Sequence, residues 1–381
     1  MAELRRVDFL FAMTGAQGLF GGIASSNRNV LRALAEVADE RGGRLTVYSL
    51  LENEKDRPDF LPACVGFRAF RRNKRRFAFS LLEAARRRPI LCFDHVGLSL
   101  PVLPLAAAGL AKTVIFAHGS ESWRRLRSLS RWSFRCAALC LTNSHFTLKK
   151  MQERMARFNG VDCPLGLSPE FELNDAVPNG SAHPISLRAV DGESYLLGAR
   201  VLLLVSRMHP AERKKGHYAL IRALPAILKE YPDVQIVFAG PGEDRNNIEE
   251  RARSRGVASA VFLPGFLSNG DLRLLYSRSY AFVMPSLQEG FGLAYLEAMN
   301  YGKPCVGCFD QGAEDIIVHG QTGFLVRDPN DTEELCGALR SLLKDPGRAR
   351  TLGRNGFERL HRFFTSSEYQ RRIKEQIRRV L

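Results

Sequence analysis

Short apolar runs alternate with amphipathic segments along most of the chain. At 23–40, for example, Leu31, Leu34 and Val37 fall on one face of a predicted helix. Because strands and helices alternate, the pattern predicts an α/β protein built on doubly wound parallel sheets. The apolar runs predict buried strands at 7–13, 45–50, 88–96, 113–119 and 199–208, and strands also open the segments 137–147, 234–244 and 261–279.

One segment interrupts this alternation. Residues 172–194 are rich in Asn, Pro, Gly, Ser and Asp and show little apolar periodicity, which is typical of a linker. The near-continuous hydrophobicity of 199–208 is typical of a central parallel strand just beyond it. The sequence therefore predicts a first domain at 1–171, a linker or insertion at 172–197, and a second domain at 198–362.

The stretch 285–307 is the most informative in the chain. A glycine-spaced loop, Glu289 to Gly292, joins a buried strand to a helix that carries Glu297 about two turns in. Loops of this kind lie at the carboxyl ends of strands, where open α/β sheets bind ligands. Backbone N–H groups there can face an anion, and the two carboxylates can accept hydrogen bonds from sugar or ribose hydroxyls. Spacing alone equally allows a dipole-stabilising Glu289 and a solvated Glu297.

Two strand ends in the first half carry further candidate chemistry. A loop of small residues at 14–22 follows the first strand, and its backbone can approach a phosphate. It lacks the G-x-G-x-x-G dinucleotide fingerprint, and a tight turn without a ligand is the alternative. His118 ends the strand at 113–119, where a structural histidine is the alternative to a functional one.

Composition adds charge to this picture. The chain has 381 residues, enough for two to three domains, and a net charge of +15. Basic and aromatic residues interleave at 67–79 and 124–135. This favours an anionic membrane surface, with a generally basic protein as the alternative. Nucleic acid is not expected, because no RNA- or DNA-binding motif is present.

Other classes of protein find little support. The eight cysteines are scattered, and neither Cys136/Cys140 nor Cys305/Cys308 has a matching second pair, so no zinc site is predicted. We expect these cysteines to be reduced, as in a cytoplasmic protein. The most apolar stretch, 98–111, contains two prolines and is too short to span a membrane, and no secretory signal is expected.

The motif E-G-F-G-L-x-x-L-E-A-M-x-x-G-x-P at 289–304 resembles the E-x7-E signature of the retaining glycosyltransferases of family 4. The resemblance implies the GT-B fold, with two Rossmann-like parallel-sheet domains facing a cleft. It also implies that a last helix, at about 363–381, crosses back to the first domain. One departure is the segment Asp310-Gln311-Gly312, where the family commonly has two glycines.

The resemblance also implies roles for individual residues. Arg207 and Lys215, in the order S-R-x7-K-G-H, would hold the donor's diphosphate, with Lys214 as an alternative by register. Glu289 would contact the donor sugar and Glu297 the ribose, while His118 would line the sugar pocket. The remaining donor-binding positions that the resemblance implies are Gly21, Gly22, Gly290, Phe291, Gly292 and Leu293.

The expected function is transfer of a hexose from a nucleotide sugar to an acceptor hydroxyl with retention of configuration, without a metal or other cofactor. GDP-mannose and UDP-glucose are both possible donors. The expected acceptor is a lipid-linked or saccharide intermediate of cell-surface glycan assembly, reached from the inner face of the plasma membrane. The alternatives are a GT-B sugar-nucleotide epimerase or hydrolase, and a non-enzymatic protein that binds nucleotide sugars or nucleic acid.

Overall fold

The computed structural model describes residues 6–17, 21–119, 122, 126–155, 157–169, 171, 185–188, 192 and 194–381. The chain forms two compact units. The first contains the described residues of Met1–Pro169 together with Thr365–Leu381, and the second contains those of Glu170–Phe364.

The first unit is built on a parallel sheet of seven strands in the order β3-β2-β1-β4-β5-β6-β7. Strand β1 is buried along its whole length, as its sequence FLFAM predicts. It pairs in parallel with β2 on one side and β4 on the other. The strands are β1 Phe9–Met13, β2 Leu45–Ser49, β3 Gly66–Ala69, β4 Ile90–Phe93, β5 Thr113–Ala117, β6 Leu139–Thr142 and β7 Gly160–Asp162.

The helices of this unit flank the sheet. Ser144 caps one of them, since its side chain accepts a hydrogen bond from Thr147 N. Single 3-10 turns lie at Glu54–Asp56 and Leu100–Val102. The α-helices are α1 Gly22–Glu40, α2 Lys74–Ala85, α3 Val96–Ser99, α4 Leu103–Ala107, α5 Ser128–Cys136, α6 His145–Arg154 and, at the end of the chain, α14 Ser366–Arg378.

Helix α14 packs on α1 within the first unit. Ser26 Oγ lies 2.8 Å from Tyr369 Oη in this contact. The sequence from 350 to the end of the chain has helical character throughout, but the structure interrupts the helix once. Thr365 has extended backbone, and its side chain accepts from Glu368 N at 3.2 Å. This N-cap starts a new helix instead of prolonging the preceding one.

The second unit contains a parallel sheet of six strands in the order β12-β11-β10-β13-β14-β15. Its strands are β10 Arg200–Val205, β11 Val234–Ala239, β12 Val261–Gly265, β13 Ala281–Val283, β14 Cys305–Cys308 and β15 Gly323–Val326. The helices are α7 His217–Glu230, α8 Arg245–Ser254, α9 Asn269–Arg278, α10 Leu293–Asn300, α11 Ala313–Ile316, α12 Thr332–Leu343 and α13 Pro346–Phe363, with 3-10 turns at Pro210–Lys215 and Ala258–Ala260.

Part of the predicted linker has regular structure. The strands β8 Ile185–Arg188 and β9 Ser194–Leu197 form an antiparallel hairpin. Tyr195 of this hairpin makes an edge-to-face contact with Phe262, with ring centroids 5.3 Å apart. The hairpin is therefore attached to the second unit. The other residues of 172–197, apart from Gly192, lie outside the described part of the chain.

Each sheet has one place where its strand order reverses. In the first unit it lies between β1 and β4, and in the second between β10 and β13. Crevices at the carboxyl ends of such strands are the usual ligand sites of open α/β sheets. None of the described helices is both long enough and apolar enough to cross a membrane.

Candidate active site

The loop that follows β10 forms one wall of the candidate site in the second unit. It is held by the turn at Gly240 and Gly242, which lies directly against it. A Cβ atom on Gly240 would lie 2.1 Å from Ser206 O, and one on Gly242 would lie 1.8 Å from Met208 O. The two backbone segments thus approach each other more closely than any side chain would allow.

Asp244 ties the middle of the same loop to the body of the unit. This carboxylate is 1% exposed and accepts from the Arg213 guanidinium and from Tyr218 Oη at 2.8 Å. Burial raises the pKa of Asp244, but the hydrogen bonds from Arg213, Asn247 and Tyr218 outweigh this effect and leave it below its ordinary value. The basic turn at 210–215 therefore has a fixed course before α7 begins.

The loop after β13 lies against the loop after β10. Leu287 N donates to Lys214 O at 2.9 Å, which joins the two backbones directly. On its other side, Glu289 N donates to Gln311 Oε1 at 3.2 Å, and Glu289 O accepts from Gly312 N at 2.9 Å. The segment at 310–312, which departs from the family pattern, thus fixes the backbone that carries Glu289.

An ion pair joins the two loops through their side chains. Lys215 Nζ lies 2.8 Å from Glu289 Oε2, and both side chains are largely buried, at 19% and 13% exposure. Lys214 instead contributes its backbone carbonyl to Leu287. A cation and a carboxylate therefore lie side by side where the strand order reverses.

Arg207 has a different partner. Its guanidinium forms a salt bridge with Glu212, which lies in the 3-10 turn of the same loop. The Arg207 side chain is 74% exposed, so it can change partner at little cost. The structure thus places Arg207 on the loop that carries Lys215, but pairs it with an acid that the sequence does not single out.

Glu297 lies in the second turn of α10 and is partly buried. Its Oε2 accepts from Tyr276 Oη at 2.7 Å. Burial raises the pKa of Glu297, and the Tyr276 hydrogen bond counteracts that rise. Glu297 is therefore neither a fully solvated surface residue nor a second partner of Lys215.

The loop between Glu289 and α10 places the other predicted donor-binding residues. Gly292 immediately precedes α10, and Leu293 is its first residue. Phe291 is 1% exposed and packs against Phe364, with ring centroids 5.9 Å apart. Phe291 therefore anchors the loop between Glu289 and α10.

The first unit has its own polar cluster at the end of β1 and β4. Asp94 Oδ2 accepts from Thr14 N and from Asn27 Nδ2, both at 2.7 Å. Burial raises the pKa of Asp94, and the nearby charge of His118 opposes that rise. His118 thus lies close to Asp94 at the carboxyl edge of this sheet.

Gly21 and Gly22 mark the start of α1 in the same unit. Of the atoms that the structure describes, none lies within 4 Å of the position that a Cβ on Gly21 would occupy. The structure thus gathers the predicted residues at the carboxyl edges of two sheets: Gly21, Gly22 and His118 in the first unit, and Arg207, Lys215, Glu289, Gly290, Phe291, Gly292, Leu293 and Glu297 in the second.

Other polar groups have no assigned ligand role. His217 is buried beside Phe238, and burial lowers its pKa to about 4, so it is neutral at pH 7. Across the described residues, no three His, Cys, Asp or Glu side chains lie together as metal ligands would.

The sequence did not point to Glu212, Tyr276 or Asp94 as members of these clusters. Glu212 is only five positions from Arg207, and this short spacing is a signal that could have been used. Tyr276 and Glu297 are 21 positions apart on different helices, and no local pattern reveals their contact.

Comparison with known proteins gives matches over both units. Residues 197–359 match the family model described as glycosyl transferases group 1. A GDP-mannose-dependent alpha-(1-6)-phosphatidylinositol monomannoside mannosyltransferase of Mycolicibacterium smegmatis is 30% identical over 260 residues, which are 66% of either chain. The glycogen synthase of Mycobacterium tuberculosis is 35% identical over 163 residues, which are 43% of this chain and 38% of the synthase. The matches thus span about two thirds of the first relative and 38% of the second.

A solved structure extends the comparison to nearly the whole chain. Alr3699/HepE of Anabaena, in complex with UDP, is similar with a TM-score of 0.74 at 16% identity, covering 98% of this chain and 100% of that one. At this identity the likeness concerns the fold. It confirms the predicted GT-B architecture with two parallel-sheet α/β domains.

Proposed function

Because the chain belongs to the group 1 glycosyltransferases, we propose that it transfers a hexose from a nucleotide sugar to an acceptor hydroxyl with retention of anomeric configuration. The observation that supports this most is the Lys215–Glu289 pair, at 2.8 Å, where the strand order reverses. A cation suited to a phosphate and a carboxylate suited to sugar hydroxyls lie together there. That place is the usual ligand site of an open α/β sheet.

The proposed roles combine these contacts with the family resemblance. Glu289 accepts hydrogen bonds from the hydroxyls of the donor sugar, and Glu297 accepts them from the ribose. Lys215 and Arg207 hold the diphosphate, with Arg207 leaving Glu212 to do so. The backbone N–H groups of Gly290, Gly292 and Leu293 face the donor, and Gly21, Gly22 and His118 keep the donor contacts that the family resemblance implies.

The proposed reaction balances without a covalent enzyme intermediate. The bond between the anomeric carbon and the diphosphate oxygen breaks, and a bond to the acceptor oxygen forms on the same face of the sugar. The acceptor's proton passes to the departing phosphate oxygen. Negative charge grows on the diphosphate during this step, and fixed cations at Lys215 and Arg207 stabilise it. The proposal needs no metal, because these cations supply the charge.

The donor nucleotide is proposed as UDP or GDP. One relative is named for its dependence on GDP-mannose, and the similar Anabaena structure holds UDP. A thermal-shift series with UDP, GDP, ADP and their sugars tests the proposal, because a ligand that binds only the folded state raises the melting temperature. We expect one nucleotide to raise it and Arg207→Ala to reduce that rise.

A matched control is available for this test. Arg222 lies on α7 and donates to Asn330 Oδ1 at 2.7 Å, so Arg222→Ala removes a surface cation from the same unit without touching the candidate site. Its nucleotide response should equal that of the wild type. A chain that responds to none of the nucleotides or their sugars would contradict the proposed transferase activity.

We further propose a lipid-linked or polysaccharide acceptor, reached at the inner face of the plasma membrane. Phe79 of α2 is 72% exposed, and Trp132 of α5 is 50% exposed. Both helices contact the turn at Leu100–Val102, so they lie on one face of the first unit. Interleaved exposed arginines and aromatic rings suit an anionic lipid surface. The arginines before and on α2 are Arg71, Arg72, Arg75 and Arg76.

Liposome flotation tests this membrane proposal. Replacing Arg71, Arg72, Arg75 and Arg76 by Gln should weaken binding to vesicles that contain an anionic phospholipid, and should not alter the weaker binding to neutral vesicles. The control replaces four exposed arginines of the second unit, Arg253, Arg255, Arg350 and Arg354, for the same loss of charge. Equal loss in both variants would point to net charge instead of this face.

A further inference from the structure

Tyr276 is a fully buried polar side chain beside Glu297, the residue predicted to bind the ribose. It lies on α9, has 0% exposure and donates from Oη to Glu297 Oε2 at 2.7 Å. The helices that carry the two residues, α9 and α10, are separated in sequence by β13 and the Glu289 loop. The hydrogen bond therefore connects a residue outside the E-x7-E motif to the second carboxylate of that motif.

Ring contacts fix the position of the Tyr276 hydroxyl. The ring stacks on Tyr301, with centroids 6.0 Å apart and planes 8° from parallel. It also contacts Phe282, at 6.1 Å between centroids. A tyrosine ring held in this way has no freedom to move its oxygen, so Tyr276 presents a donor at one defined point.

The contact leaves half of the Glu297 carboxylate available. Oε2 is engaged by Tyr276, whereas Oε1 makes no hydrogen bond to any residue that the structure describes. Burial raises the pKa of Glu297, and the Tyr276 hydrogen bond counteracts part of that rise. A carboxylate with one oxygen occupied has a preferred acceptor direction at the other.

We propose that Tyr276 is a positioning residue, which holds the Glu297 carboxylate so that Oε1 accepts hydrogen bonds from the ribose hydroxyls of the bound nucleotide. This inference rests on the proposed function, because it takes a nucleotide as the ligand of the second unit. A purely structural tie between α9 and α10 is the competing explanation, and it makes a different prediction about which nucleotides are affected.

The test compares nucleotides with and without ribose hydroxyls. Tyr276→Phe removes only the phenolic oxygen, and its dissociation constants for UDP, GDP and their 2′,3′-dideoxy forms are measured by titration calorimetry. We expect roughly tenfold weaker binding of the ribonucleotide that the wild type binds, because one hydrogen bond to a charged group is lost. Binding of the dideoxy form should not change, since it lacks the hydroxyls that Glu297 contacts.

Tyr280→Phe serves as the matched control. Tyr280 lies in the same unit, and its Oη donates to Leu342 O at 2.6 Å instead of to a carboxylate. This variant undergoes the same chemical change away from Glu297. It should bind both forms of the nucleotide as the wild type does.

Each outcome separates the inference from the proposed function. Equal weakening of ribonucleotide and dideoxynucleotide binding, or no weakening of either, would overturn the positioning role while leaving nucleotide binding intact. A wild-type chain that binds none of the nucleotides would overturn the proposed function and the inference with it.

A second variant covers the case in which Tyr276→Phe fails to fold. Glu297→Gln keeps an oxygen that can accept from Tyr276 but removes the charge at the other position. The positioning role predicts selective loss of ribonucleotide affinity in this variant. A structural tie predicts unchanged affinity for all four ligands, and that result would overturn the proposal.

Discussion

Lys215 Nζ and Glu289 Oε2 lie 2.8 Å apart, although the two residues are 74 positions apart in the sequence. The contact joins the loop after β10 to the loop after β13, which are neighbouring strands of the sheet. Each residue partly neutralises the other in a largely buried setting. The pair therefore connects the two loops and places two opposite charges together in the candidate site.

The Lys215–Glu289 pair should be energetically coupled. Lys215→Met and Glu289→Gln each leave a largely buried partner unmatched, so each should lower the free energy of unfolding by about 1–3 kcal/mol. The double variant should lose less than the sum of the two, because the second change removes the partner that the first left unmatched. Urea unfolding of the four proteins measures this coupling, and strictly additive losses would show that the pair does not interact.

Glu212 should compete with a bound diphosphate for Arg207. Glu212→Gln removes the exposed salt bridge, which is worth about 0.2–1 kcal/mol, so nucleoside diphosphate affinity should rise by up to about fivefold at low salt. Titration calorimetry measures this rise. Glu230→Gln is the control, since Glu230 pairs with Arg340 at the far end of α7. A gain of equal size in both variants would indicate a general charge effect.

Gly216 should be intolerant of any side chain. Its φ is +108°, and a Cβ would lie 2.6 Å from Pro285 Cδ, so Gly216→Ala should destabilise the second unit by about 1–3 kcal/mol. Gly337, an exposed glycine inside α12 with open space around its Cα, provides the contrast. Gly337→Ala should stabilise by about 0.5–1 kcal/mol. Thermal unfolding that ranks the two variants the other way would contradict this reading of the loop.

His217 should make stability depend on pH. Burial lowers its pKa to about 4 in the folded state, against 6.5 when exposed, so the unfolded chain binds more protons between these values. The stability of the folded state is therefore unaffected by His217 above about pH 6.5 and decreases as the pH falls towards 4. The total loss in the free energy of unfolding is about 3 kcal/mol. His217→Asn should remove this part of the dependence. Urea unfolding at several pH values measures it, and parallel curves for the two proteins would contradict the prediction.

The positions of the main strands and the main loop of the site were predictable from the sequence. The apolar run of β1 is followed by a glycine-rich loop, the run of β10 is almost continuously hydrophobic, and the residues between Glu289 and α10 resemble a known motif closely. Local patterns of this kind carry their own boundaries. They do not indicate which side chains far apart in the sequence meet, so the contact of Tyr276 with Glu297 was not predicted. The contact of Arg207 with Glu212 is local, but no motif singled out Glu212.

The elements that the sequence did not predict are short, or lie where another sequence pattern dominates. Strand β3 has four residues and overlaps the start of the basic segment at 67–79, where the charge pattern is a stronger signal than so short a strand. The β8–β9 hairpin lies within a segment that composition marks as a linker. At the end of the chain, a single capping threonine, Thr365, divides a pattern whose amphipathic character is otherwise continuous.

The closeness of Gly240 and Gly242 to the loop after β10 bears on how such a protein can change its substrate. The course of this loop is set by backbone lying against backbone at Ser206 and Met208, with the two glycines on the other side. The exposed side chain at 211, which those contacts do not use, can then vary without rebuilding the loop, whereas His209 caps the 3-10 turn by accepting from Ala211 N at 3.1 Å. The glycines thus make this part of the site a suitable target for combinatorial libraries aimed at new donor specificity.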